Sequence, residues 1–218
     1  MKNTFKLVQN LQNLNRIKRT GGNLALGLPT EWNISIAEHS YTVSYLAMMF
    51  YWALPEALKK EVDLGKILSY CLVHDWKEIV LGDIPAPSPS FASFWEIDIK
   101  EATKKAGEKV LIKFREMIEG EMETIFLNSE LNETEKKITR AADIGAYLFE
   151  LQEWKYLGYQ HEGWEMIWYN VIGWFEKIDL PFVPQLATEF KEAYKRGTKG
   201  ASPFLAQGSK QENPEHKI

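Results

Sequence analysis

Apolar residues recur along the chain at intervals of three and four, and no stretch of β-branched residues alternates with polar ones as a half-buried strand would. The spacing predicts a first helix over 4–18, with Val8, Leu11 and Leu14 as its stripe. Further helices are expected over 36–53 and 64–81, one or two within 91–118, and then over 132–157, 162–177 and 184–195. Ser35-Ile36-Ala37-Glu38 reads as a capping box, Asp63 as an N-cap, and Asn132 with Glu135 as a weaker box. Prolines cluster at 85, 87 and 89, then at 181 and 184, and none falls between Pro89 and Pro181, as uninterrupted helices require. Asn-Gly and Asp-Gly hairpin turns are missing. The fold class predicted is all-α, a compact multi-helix bundle.

Residues 1–196 are expected to form this one domain. Residues 197–218, polar and rich in Gly, Pro and Gln, read as a loosely ordered tail that leaves His216 without a role. The ten apolar residues Tyr45–Leu54 are too few to span a bilayer, which takes roughly 20, and read as a buried core helix. The first residues lack the apolar run and small-residue cleavage site of a secretory signal. One cysteine, Cys71, excludes an intramolecular disulfide and favours a reducing compartment. With no bilayer-length run and no secretory signal, a cytoplasmic protein without membrane contact is expected. A net charge of -4 and a pI of about 5.7 argue against a broad nucleic-acid surface. Small anions stay possible, because one cation in a pocket acts locally.

The candidate chemistry lies in His39, in the pair His74-Asp75, and in Asp143. Each alone is commonplace. Asp75, however, continues the stripe Leu68, Cys71, Leu72 toward the core, and Asp143 lies among Ala142, Gly145 and Ala146 on a face of small residues. An ionised carboxylate buried without a partner costs several kcal/mol, so these aspartates need a cation. Two imidazoles and two carboxylates would neutralise one divalent ion and leave positions open for water and substrate. Mixed nitrogen and oxygen ligation suits Mn, Co, Fe, Ni or Zn without choosing among them. Tetrahedral structural zinc would call for thiolates that one cysteine does not supply.

A His on one helix, a His-Asp pair on the next and a distant helical Asp resembles the HD-domain metal-dependent phosphohydrolases. Ala37-Glu38-His39-Ser40, His74-Asp75 with Glu78, Gly82-Asp83-Ile84-Pro85, and Ala142-Asp143 with Ala146-Tyr147-Leu148 look like the 5′-deoxynucleotidase branch. The resemblance covers about residues 5–180. It implies an HD-domain bundle holding one divalent metal on His39, His74, Asp75 and Asp143, and hydrolysis of (deoxy)nucleoside 5′-monophosphates to nucleoside and phosphate. Glu78 and Asp83 would then be the catalytic acidic pair, Asp83 also facing substrate. Glu78, four residues after His74, shares its helix face; alone it reads equally well as a surface partner for a Lys. Asp83 reads locally as a turn residue after Gly82.

Arg19 looks like the family's phosphate-binding arginine, with Arg16 as its rival. The family typically follows that arginine with a bulky aromatic that crowds the sugar 2′ position, whereas this chain has Thr20-Gly21-Gly22. Trp32 and Trp76 are candidate stacking surfaces. Two alternatives remain: a deoxynucleoside triphosphohydrolase, for which Arg16, Lys18 and Lys77 are candidate cations, and a non-catalytic nucleotide-binding helical protein. His161 reads as structural, and Cys71 as a small buried hydrophobe. The stripe Trp164, Trp168, Ile172, Phe175 reads as a core or dimer face. The aromatic content points to a homodimer.

Overall fold

The computed structural model describes residues 4–21, 23, 26–29, 33–84, 99–117, 127–159 and 161–196. Helix α1 (Thr4–Leu11) runs into a 3₁₀ turn (Gln12–Asn15), and α2 (Ile36–Trp52) follows. Short α3 (Glu56–Lys59) leads to α4 (Leu64–Val73), α5 (Glu78–Leu81) and α6 (Ile99–Met117). A 3₁₀ turn (Asn128–Glu130) precedes α7 (Glu133–Tyr156), α8 (Trp164–Glu176) and α9 (Val183–Arg196). Among the described residues there is no strand, only an isolated bridge between Lys18 and Ser35. The expected tail, 197–218, lies outside the described residues, as do Trp32, His216 and the segment 85–98.

The helix starts are where capping places them. Ser35 accepts from the Glu38 amide while the Glu38 carboxylate accepts from the Ser35 amide, and Asn132 and Glu135 repeat the arrangement. Asp63 accepts from the Lys66 amide. Each such cap is worth about 1 kcal/mol.

Helix α2 lies along both α4 and α7, with Leu46 and Phe50 against Gly145 of α7. Behind them α8 and α9 close the core, where Trp168 stacks on Tyr194 with ring centroids 4.3 Å apart. Trp164, Trp168, Ile172 and Phe175 are all buried, so that stripe is core.

Three expectations change. The first helix, expected over 4–18, stops at Leu11 and tightens into the 3₁₀ turn Gln12–Asn15. The apolar run 45–54 is not buried throughout. Tyr45, Met49 and Trp52 form an exposed face with Tyr41, because α2 is apolar on every side and the bundle covers only one. The helix expected over 64–81 stops at Val73, with turns at 74–77 before α5. Side chains there take carbonyls from the helical ladder. The His74 ring binds the Cys71 carbonyl and Lys77 Nζ the His74 carbonyl, and the amides of Trp76, Glu78 and Ile79 fall back on tighter i→i+3 bonds.

Candidate active site

Four elements converge at the start of α2. Residues 17–19 run beside 34–36, with Arg19 N–H donating to the Ile34 carbonyl (2.9 Å) and Ile36 N–H to that of Ile17 (2.9 Å). This pins Arg19 next to the first turn of α2. His39 sits in that turn on the inner face shared by Ile36, Val43 and Phe50, and is fully buried. His74 caps α4, Asp75 follows in the turn, and Asp143 comes from the middle of α7.

His39 Nε2 lies 3.2 Å from Asp143 Oδ1 and 3.8 Å from Asp75 Oδ2; His74 Nε2 lies 3.2 Å from Asp75 Oδ2. Ligand atoms of His39, His74 and Asp143 fall within 4.8 Å of one another. Neither Nε2 has a hydrogen-bond partner among the described residues, although both are shielded from water. Orphaned buried nitrogens facing carboxylates fit a bound cation, which would satisfy both at once. His74 Nδ1 donates to the Cys71 carbonyl at 2.6 Å, which leaves the lone pair on Nε2, toward the cluster.

The surrounding charges are arranged around the same point. Lys77 Nζ lies 2.8 Å from Asp75 Oδ1, its stem passing α6 where a Cβ at Gly107 would come within 2.8 Å of Lys77 Cδ. Arg19 Nη1 stands 3.7 Å from Asp75 Oδ2. Burial opposes the Arg19 charge, but Glu150, Asp75, Asp143 and Asp83 outweigh it and hold the guanidinium firmly protonated. Arg16 is exposed.

Burial likewise resists ionisation of Asp75, and is overcome by His74, Lys77 and His39, so its carboxyl stays well below the usual range. For Asp143 burial is overcome by His39, His74 and Arg19, with the same result. His39 is raised: burial and Arg19 disfavour its proton, and Asp143 and Glu150 prevail.

Glu78 behaves in the opposite way. It is buried, its Oε2 has no partner, and burial followed by Asp75 and Asp83 pushes its carboxyl up to about 9. Asp83 follows Gly82, whose φ of 71° ends α5 with a turn that glycine adopts without strain. Asp83 Oδ2 accepts from the amides of Thr20 and Gly21, and the Thr20 hydroxyl donates to the Asp83 carbonyl at 2.6 Å. Asp83 thereby ties the turn after Arg19 to the end of α5.

The remaining candidates sort plainly. The Cys71 thiol is pushed up to about 12 by burial and by Asp143, so it stays protonated. Trp76 packs edge-on against Phe114 of α6. His161 is exposed, and its Nδ1 accepts from the Gly163 amide. Two groups escaped the sequence reading. Glu150, buried on α7, has Oε1 3.5 Å from His39 Nδ1. Lys136 and Arg140, two turns and one turn before Asp143 on α7, line a cleft of about 200 Å³ that opens beside His74 and Asp143, with Tyr70 and Asn128 opposite.

The model of the family described as YfbR-like 5′-deoxynucleotidase matches residues 6–194. The chain belongs to the YfbR-like 5′-deoxynucleotidase family. Among curated relatives, it is 26% identical over 129 residues to a 5′-deoxynucleotidase of Shewanella oneidensis, covering 57% of this chain and 66% of that one. A dATP triphosphohydrolase of Salmonella phage PMBT28 is 37% identical over 68 residues, covering 29% of this chain and 35% of that one. Among solved structures, the HD phosphohydrolase of cyanophage S-2L, bound to dA and one catalytic Zn²⁺ ion, superposes with a TM-score of 0.56 and 16% identity. That match covers 86% of this chain and 96% of the other. The YfbR-like match takes in every residue of the cluster, from Arg19 to Glu150.

Proposed function

We propose that this chain is a metal-dependent phosphohydrolase that converts (deoxy)nucleoside 5′-monophosphates to nucleoside and phosphate. The observation that carries the reading is the pair of buried, unpartnered Nε2 atoms of His39 and His74 converging on Asp143 and Asp75. These four residues would hold one divalent ion, drawn from Mn, Co, Fe, Ni and Zn. The single catalytic zinc of the cyanophage neighbour supports one ion. Such an ion supplies Lewis acidity and positive charge at the phosphoryl group.

The protein's own groups do the rest. Arg19, held charged beside Asp75, neutralises the transferred phosphoryl group. Glu78 is a buried carboxyl whose proton affinity is raised, to about 9. Holding its proton at neutral pH, it delivers that proton to the departing 5′-oxygen and takes one back from the attacking water. Asp83 adds to the field on Glu78 and, through Thr20 and Gly21, keeps Arg19 in place. The cleft beside His74 and Asp143 gives the nucleotide its approach, with Lys136 and Arg140 on its wall. Those two cations also favour a second reading, cleavage of a nucleoside triphosphate, which fits the phage relative.

A panel of mono- and triphosphates, ribo and deoxy, incubated with metal-loaded protein tests both. Inorganic phosphate from monophosphates supports the first reading, and inorganic triphosphate the second. Neither product, with metal bound, overturns the hydrolase assignment. A homodimer in a reducing cytoplasm completes the proposal. The exposed face Tyr41, Tyr45, Met49, Trp52 supports the dimer, and Trp52→Glu should then yield monomers in sedimentation. No described helix is long and apolar enough to cross a membrane.

A further inference from the structure

The two histidines of the cluster are held differently. His74 rests its Nδ1 on a backbone carbonyl, that of Cys71, at 2.6 Å. His39 turns its Nδ1 toward a carboxylate, with Glu150 Oε1 at 3.5 Å and no other partner for that nitrogen among the described residues. Glu150 has no surface role to account for it. It is 8% exposed, and neither carboxylate oxygen accepts a hydrogen bond from a described residue. It stands seven residues after Asp143, two turns along the same face of α7, so one helix face carries both a carboxylate for Nε2 and a carboxylate for Nδ1 of the same imidazole. Burying such a carboxylate costs several kcal/mol unless it gains a donor.

We infer that Glu150 is the positioning residue of the metal centre: it accepts the Nδ1 proton of His39 and so fixes that ring as an Nε2 ligand. A neutral imidazole carries one ring proton. With that proton on Nδ1, the lone pair lies on Nε2, facing Asp143 and Asp75. Without Glu150 the proton can sit on Nε2 instead, bonded to those aspartates, where it blocks a cation. The negative charge behind the ring also strengthens Nε2 as a donor to the ion. His74, backed by a neutral carbonyl, lacks this second effect. The inference rests on the proposed metal site and says nothing of which nucleotide is cleaved.

The test is cobalt(II) titration of the metal-free full-length chain, followed by visible absorption, for wild type, Glu150→Leu and Glu150→Gln. Glu150→Leu should weaken the dissociation constant about 10–100-fold, and Glu150→Gln, which keeps an acceptor but loses the charge, by less. The thermal midpoint of the metal-free protein should not fall in either variant. An unchanged cobalt affinity in Glu150→Leu overturns the role. So does an affinity loss that merely follows a lowered metal-free midpoint. Should Glu150→Leu fail to fold, proton NMR of the zinc-loaded wild type and Glu150→Gln decides. The His39 Nδ1–H resonance should lie downfield in wild type and move upfield in the glutamine variant; an unmoved resonance overturns the role. None of these readouts uses a nucleotide, so a failed hydrolysis assay leaves this inference standing. A wild-type chain that takes up no cobalt removes it together with the metal site.

Discussion

At the α8–α9 end of the bundle, Trp168, Phe175, Phe190 and Tyr194 are buried against one another; at the α2–α4 end, His39, Asp75, Glu78 and Glu150 are buried to nearly the same degree. The aromatic end is stabilised by what its sequence already contains. Each ring is removed from water and meets another ring edge-on or stacked. The charged end gathers carboxylates, imidazoles, Arg19 and Lys77 out of water and leaves several of their polar atoms without hydrogen bonds. Interiors tolerate that where a ligand completes them. The comparison teaches that equal burial signals opposite things: one end is where the fold gets its stability, the other where stability is given up for binding.

Breaking each end in turn should therefore give opposite results. His74→Ala should show the largest effect, with bound metal lost and hydrolysis reduced to background, yet with little change in the metal-free thermal midpoint. Metal analysis and calorimetry on the same sample check this. Trp168→Ala should do the reverse. Deleting a buried aromatic costs about 3–5 kcal/mol, a fall of roughly 6–20 °C in a chain of this size, while metal affinity of the folded fraction stays as in wild type. Saturating metal then sharpens the contrast. At a hundredfold excess over its dissociation constant, a ligand adds about 2.7 kcal/mol of stability. Wild type and Trp168→Ala should gain equally, and His74→Ala not at all.

Glu78 gives a finer test. Its carboxyl titrates near 9 in the folded chain and near 4.5 when free. Between those values the folded state holds a proton that the unfolded state releases, so metal-free stability falls as pH rises from about 4.5 toward 9. Glu78→Gln removes that loss. Urea midpoints should separate the variant from wild type more at pH 8.5 than at pH 5, with the variant the more stable and far slower in turnover. The smallest effect concerns His39, whose proton affinity is raised by Asp143 and Glu150 over the opposition of burial and Arg19. Metal binding must displace that proton. Affinity should weaken as pH falls, and binding heats should differ between buffers of unlike ionisation enthalpy.

Most of the helices could be read from the sequence because their signals are local. The capping pairs Ser35–Glu38 and Asn132–Glu135 mark two starts, and apolar periodicity marks the rest. The break after Val73 had no such signal, since it arises when the His74 ring and Lys77 take carbonyls from the ladder. The exposed face of α2 was hidden for another reason. A helix apolar on all sides does not say which side the bundle covers. In the site, His39, His74, Asp75 and Asp143 stood out through residue type and, for the two aspartates, through apolar or small neighbours at helical spacing. The structure brings them together, although Leu72 of the expected stripe is exposed and Asp75 comes from the turn after α4. Glu150 did not stand out, because α7 also carries the exposed Glu133 and Glu153, and only tertiary packing tells a buried Glu from such solvated neighbours. Its spacing of seven from Asp143 was the available signal.

The central claim is that two imidazoles from α2 and the end of α4 meet on one ion. X-ray absorption of the zinc-loaded chain measures this directly. The account predicts one ion per chain with two imidazole nitrogens at about 2.0–2.1 Å, and one imidazole fewer in His39→Ala. A spectrum without imidazole scattering, or one unchanged by that substitution, would contradict it.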